Sequence, residues 1–452
     1  MHKKLSLTQS TLMGVAGNAP AYGVGIATST IVVSSAHAAP LAVVICGLAM
    51  VGILIAYQKL NADEPDCGAA YAWVGHVFHP AAGFLAGWSL LVALEFFMVS
   101  AMLVAGQTAA DLLGLDHTAN KPLVYALGLG ILGLVTIPSL LGAGIFGRFQ
   151  SVLTIIELSI LAAIAFVALF QHGGAIVEAL PDLLAKGSAF DLTAISKGVV
   201  IALFAFWGWD VVFNLSEETV ETRRNSAAAA LNTVVLLILI YVGFTTLAVL
   251  VLSEADMAGS SQNALLAIAH KVMPAPYGSL ALIAFLISLI GSLDASIIQF
   301  SRTLLSGSRD GVFSTRLAHT SPRFGVPTFG IVVTVALAGM LTLLSYFSGT
   351  VNEIIAAGVA GSAILVAFYY GLAGFACAAF FLRNKPEGRI QFLLHVAWPA
   401  IASLVLVACA VFVALEFGLL TSAIVLAAFV AGLAVAWSQN GALRKRLPRT
   451  NT

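Results

Sequence analysis

The sequence predicts an all-α polytopic membrane protein with about 12 transmembrane helices. Ten of them form a five-plus-five inverted repeat with helices one and six broken, and two extra helices follow. Three observations carry that prediction. Of the 452 residues, 60% are hydrophobic and only 9% charged, against roughly 25% charged in an ordinary soluble domain. Apolar runs of about 20 residues, enough to cross a ~30 Å hydrocarbon core, recur along the chain and leave no room for a sizeable soluble domain. Two of these runs, at corresponding places, contain residues that interrupt a helix.

Residues 1–8 carry Lys3 and Lys4 but no short apolar core with a small-residue cleavage site, so no removable signal peptide is expected. Apolar segments then fall at about 10–35, 40–60, 83–110, 122–141, 146–170, 197–215, 227–252, 277–305, 327–347, 353–382, 392–414 and 417–437. The chain divides into a cytoplasmic N-terminus (1–9), a core (10–383) with repeats at about 10–170 and 197–383, two additional helices (392–437) and a basic tail (438–452). A cytoplasmic N-terminus puts all but four of the 21 basic residues on that side, leaving Lys121, Lys186, Lys197 and Lys271 outside and none in a membrane core. Both termini are therefore expected in the cytoplasm. The external connection at 171–197 reads as partial interfacial helix. The cytoplasmic connection at 301–327, with Arg302, Arg309, Arg316 and Arg323, reads as a positive-inside anchor, a gating role being the alternative. Cys46, Cys67, Cys377 and Cys409 are scattered without CxxC spacing and read as ordinary thiols.

The first segment contains "GNAPAYGVGI" (17–26), and the sixth contains "FAFWGWD" (204–210), with Gly208 between two tryptophans. Paired interruptions in two halves point to a midplane binding site, because a broken helix frees N–H groups for an anion and C=O groups for a cation. Close packing of Gly17, Gly23 and Gly25 against a neighbouring helix is the rival explanation. It leaves Asn18, Pro20 and the second break without a role.

Glu95, Glu157, Asp210 and Asp294 fall within apolar segments. An unpaired ionised carboxylate is costly there, so each is a candidate for coupling or gating. With no internal cation expected, charge balance must come from a proton, a metal cation or a cationic substrate group. Asp210, beside the second break, is a candidate for receiving an amine or carrying a proton, or else a helix cap. Glu157 is a candidate proton carrier, and Glu95 could be a neutral acid between helices. Asp294, between Ser292 and Ser296, suggests a small cation site or a polar seam. Trp207, Trp209 and Tyr22 could offer aromatic faces to an ammonium group, but adjacent indoles cannot both face one cavity.

In this order and spacing, the broken first helix, "LNADEPDCGAAYAWVGHVFHPAAGFLAGW" (60–88), "FAFWGWD", "EETVETRRN" (217–225) and "SRTLLSGSRDGVF" (301–313) resemble the amino acid, polyamine and organocation transporter superfamily. The resemblance covers at least the first ten segments and implies the LeuT-type fold. It implies that Ala21, Tyr22 and Gly23 match the small-residue triplet where helix one unwinds around substrate. Trp207, Gly208 and Trp209 match the unwound part of helix six, and Asp210 an acidic gating or proton-sensing position. Asn18, Gly25 and Phe204 complete the candidate substrate-binding set. The chain departs from the pattern at Glu157, where some proton-coupled members carry lysine, and at Tyr22, which is bulkier than usual.

The expectation is therefore a secondary active transporter of an amino acid or related small organic amine or polyamine in the plasma membrane. Proton coupling is preferred, with sodium coupling or exchange as alternatives. A channel, a sensor or a membrane-embedded hydrolase using Asp210 and Asp294 are the rivals, and an enzyme is not expected. No cofactor, metal site or nucleic-acid partner is expected. The partners are a small-molecule substrate, the lipid bilayer and a coupling proton, with oligomeric state left open.

Overall fold

The computed structural model describes residues 4–118, 120–187, 192–253, 255–256, 263–386, 388–416 and 418–438. Among them, helices account for the fold, and the only strand-like pairing is a single bridge between Leu5 and Thr219. The first segment forms α1 (Leu7–Asn18) and α2 (Pro20–Ser35), and the second forms α3 (Ala39–Asp63). After a short α4 (Ala70–Val77) come α5 (Pro80–Leu112), α6 (Lys121–Leu140) and α7 (Ala143–Gly187). The sixth segment gives α8 (Leu192–Ala205) and a single turn, α9 (Val211–Asn214). Then follow α10 (Thr222–Val251), α11 (Ala264–Val272), α12 (Leu280–Arg309), α13 (Thr328–Ser345) and α14 (Val351–Arg383). The chain continues through α15 (Gly388–Phe392), a π-helical turn at Leu393–Ala397, α16 (Trp398–Glu416) and α17 (Gly418–Ser438).

Local chemistry sets the helix starts. Ser6 and Gln9 form a reciprocal capping box on α1, and Thr350 and Glu353 do the same on α14. Pro80 opens α5 at a position whose N–H would have no helical partner. Nine helical runs among the described residues are long and apolar enough to cross a membrane, the first of which, Leu7–Asp63, takes in α1 to α3. Burial separates inner from outer helices: nearly all of α5 packs against neighbours, whereas α7 and α13 turn most of their apolar surface outward. Exposed Phe166, Phe170 and Leu239 suit hydrocarbon rather than water.

The structure departs from expectation in two places. Helix α7 continues to Gly187 through most of the connection read as partial interfacial helix, because "AIVEALPDLLAK" favours helix and neither the Gly173–Gly174 pair nor Pro181 stops it. Helix α12 runs on to Arg309, so Arg302 is not a loop anchor. It is fully buried and paired with Glu218, so the protein does hold an internal cation, contrary to the expectation of none. The four cysteines are free and buried. Arg444, Lys445, Arg446 and Arg449 of the basic tail lie outside the described residues.

Candidate functional site

The first break has a simple cause. Pro20 has no N–H to continue the α1 ladder, and Ala19 adopts a left-handed conformation (φ 57°, ψ 64°), its N–H returning to the carbonyls of Val15 and Ala16. At the second, α8 stops at Ala205 and Gly208 takes φ +98°, a conformation that disfavours any residue with a Cβ. The two breaks touch: a Cβ on Gly17 would stand 2.5 Å from the Gly208 carbonyl oxygen, and one on Gly208 would collide with the Gly17 carbonyl oxygen. Asn18 staples them together. Its Nδ2 donates to the Ala205 and Trp207 carbonyls, both at 2.7 Å, while its Oδ1 accepts from the Tyr241 hydroxyl at 2.6 Å. One side chain thus caps the end of α8 and locks it to the end of α1.

Between the breaks and α5 and α12 lies a cavity of about 20 Å³, room for about one water. Of the candidate binding residues, Asn18, Tyr22, Gly23, Phe204, Trp207 and Gly208 line it, whereas Ala21, Gly25, Trp209 and Asp210 do not. Gly17, Leu94, Phe97, Ala205, Ala295, Ser296 and Gln299 complete the wall, and none of them belongs to the candidate binding set. Leu94 and Phe97 flank Glu95, and Ala295 and Ser296 follow Asp294, so attention to the acids lands a residue or two off the lining positions. A usable signal existed in α12, where Ser288, Ser292, Ser296 and Gln299 recur on one helical face.

The four acids are all buried and occupy different settings. Glu157 Oε1 accepts from the Ala21 N–H at 2.9 Å and from the Ser288 hydroxyl at 2.6 Å, while Ser288 Oγ accepts from the Tyr22 N–H at 3.3 Å. Asp210 is held by Tyr370 (2.9 Å), Tyr369 (3.1 Å) and the Gln299 amide (2.9 Å). Trp207 donates through Nε1 to the Tyr369 hydroxyl at 2.6 Å, linking the cavity wall to Asp210. Trp209 instead packs with Tyr57, Phe213 and Tyr370. Asp294 accepts from Ser139, while Ser292 and Ser296 donate to carbonyls of their own helix. Neither carboxyl oxygen of Glu95 has a hydrogen-bond partner among the described residues.

On the side of the N-terminus the connections are tied by charge. Arg302 Nε donates to Glu218 at 2.9 Å, and the Glu218 carbonyl accepts from the Lys4 and Leu5 N–H groups. Arg309 Nη1 pairs with Glu217 at 2.7 Å. Asp66, Cys67 and Glu217 bring ligand-type atoms within 4.8 Å of one another, but Arg309 and the Ser306 hydroxyl already engage the two carboxylates.

Apolar helices folded around two interlocked interruptions define a polytopic, all-helical membrane protein. The family model described as amino acid permease matches residues 7–436, and the chain belongs to that family. It is similar to the low-affinity putrescine importer PlaP of Escherichia coli, 25% identical over 370 residues that cover 75% of this chain and 74% of the importer. A gamma-aminobutyric acid permease of Bacillus subtilis is 23% identical over 358 residues, covering 77% and 74% of the two chains. The branched-chain amino acid permease BcaP of Lactococcus lactis is 24% identical over 309 residues, covering 63% and 64%.

Proposed function

We propose that the protein is a secondary active transporter that moves an amino acid or a related small organic amine or polyamine across the plasma membrane, coupled to protons. In this reading the chain crosses the membrane 12 times as an inverted repeat plus two helices, with both termini in the cytoplasm. The observation that carries it is the pair of breaks stapled by Asn18 around a central cavity. With about 20 Å³ of space, solute can be admitted only if the walls part. Alternating access supplies that motion: the bundle of α1–α3 with α8–α10 rocks against α5, α6, α12 and α13. Asp210 is the preferred proton site. Its hydrogen-bond partners come from α12 and α14 and are all neutral, so taking up a proton strands no buried cation. Glu157, Asp294 and Glu95 are further candidates for coupling.

Uptake of labelled amines and amino acids into proteoliposomes, with and without an acid-outside pH gradient and without sodium, tests the reading. Saturable uptake driven by the gradient is expected. A sodium requirement or dependence on internal substrate would replace proton coupling with a sodium symport or an exchange mechanism. Unsaturable flux would indicate a channel, and no flux of any such solute would overturn the transporter assignment.

A further inference from the structure

We infer that the substrate is an organic amine lacking a carboxylate, and that Glu157 is the residue that excludes carboxylates. The inference rests on the central cavity being the solute site and adds the charge of the solute it takes.

Three helix ends meet at this cavity. Helix α2 presents its N-terminus, where backbone N–H groups and the helix dipole would ordinarily attract an anion. Every donor of that first turn is already engaged. Pro20 has none, the Ala21 N–H goes to Glu157, the Tyr22 N–H to Ser288, which itself donates to Glu157, and the Gly23 N–H to the Ala19 carbonyl. Glu157 does not itself line the cavity, but with Ser288 it occupies the donors that a substrate carboxylate would need. A competing carboxylate would have to strip Glu157 of both hydrogen bonds inside the bundle, where a charge without partners is costly.

The other two ends have the opposite sign. Helices α1 and α8 present C-termini to the cavity, and neither carries a basic residue in its last turn. In an unbroken helix the Gly17 and Asn18 carbonyls would take the Ala21 and Tyr22 N–H groups, which are engaged elsewhere. Two negative dipole ends therefore face one space, and among the described residues no Lys, Arg or His lines it. The walls suit the same charge. Tyr22, Phe97, Phe204 and Trp207 offer aromatic faces for an ammonium group. Gln299 spends its nitrogen on Asp210 and Asn214, which leaves its carbonyl oxygen as an acceptor. An ammonium group finds acceptors and aromatic faces on several sides of this cavity, whereas a carboxylate finds no cationic partner among the described lining residues.

The test compares pairs that differ only by the carboxylate, putrescine with ornithine and tyramine with tyrosine, using the full chain in proteoliposomes under one fixed gradient. At least one amine should show saturable uptake at least ~10-fold above its amino acid. Glu157→Ala should shrink that ratio by a similar factor by admitting the amino acid. If this variant loses transport or does not fold, Glu157→Gln and ligand-induced thermal stabilisation of the detergent-solubilised protein give the same comparison without turnover. Amino acid uptake equal to or above that of the amines overturns the inference and leaves the transporter reading standing. An unchanged ratio in a folded Glu157 variant removes Glu157 as the discriminator. Absence of saturable uptake and of stabilisation for every compound overturns the transporter reading and this inference with it.

Discussion

Two carboxylates on either side of α9, Asp210 at the second break and Glu218 just past the sixth segment, are equally buried, and the protein treats them in opposite ways. Glu218 meets a buried guanidinium, Arg302, while its main chain holds the N-terminal strand-like segment. Among the described residues, Asp210 meets only hydroxyl and amide donors. A carboxylate opposite a buried cation is a fixed part of the structure, since losing its charge leaves the cation unpaired. One surrounded by neutral donors can change its charge while its neighbours stay satisfied. The difference separates a clamp from a candidate switch on the two sides of one short helix.

Removing the clamp should have the largest effect. Glu218→Ala leaves Arg302 charged and unpaired, at a cost of about 3–5 kcal/mol, and the variant should melt far below the parent in detergent. Adding Arg302→Met should restore most of the loss, because an apolar pair replaces a stranded ion. If Glu218→Ala melts with the parent, the contrast between clamp and switch fails. Asp210→Asn should do the reverse. Its hydroxyl partners can accept as well as donate, so stability should change by about 1 kcal/mol. Uptake should lose its response to the pH gradient, a coupling free energy of typically about 1–3 kcal/mol. Gradient-driven uptake at the parental level in this variant would move the proton site elsewhere.

How much of this was legible beforehand follows from which interactions are local. The breaks were readable because Pro20 and Gly208 act through their own backbone, whatever surrounds them. The all-helical, membrane-spanning character was readable because hydrocarbon demands a length of apolar chain. The clamp was not. An arginine near the end of an apolar run reads as interfacial, and its burial follows from Glu218, 84 positions away in the chain, arriving on the same face of α12. The surroundings of Asp210 were hidden for the same reason, since Tyr369 and Tyr370 lie in a helix that nothing local connects to the second break. The acids in α5 and α12 marked the right helices, but a charged residue draws the eye away from Leu94, Phe97 and Ser296, which line the cavity.

Tyr369→Phe sharpens the same contrast with a smaller effect. It removes the hydroxyl that takes the Trp207 indole N–H and donates to Asp210. A buried N–H left without an acceptor costs about 1–3 kcal/mol, so the melting temperature should fall moderately. If the hydroxyl relays between cavity and switch, the pH dependence of substrate KM should flatten while kcat at saturating substrate changes less. A purely structural role would lower stability and leave the shape of that pH dependence intact.

Glu217, next to the clamp in sequence, gives the smallest effect and a control on it. Its pair with Arg309 is partly exposed, the side chains being 25% and 40% accessible, and such pairs contribute about 0–1 kcal/mol. Burial pushes the Glu217 carboxyl up, but the hydrogen bond and charge of Arg309, aided by the Cys67 N–H and thiol, outweigh it and hold the group below its usual value. A carboxyl depressed in the folded state stabilises above its unfolded value, near pH 4.3, and loses that contribution as pH falls through the folded value. The melting temperature of Glu217→Gln should therefore sit slightly below the parent from about pH 7 to about pH 5, with the gap closing in stronger acid. A gap as large as that of Glu218→Ala would mean that the exposed pair shares the clamp's work, and the distinction would then belong to the whole connection rather than to the buried charge.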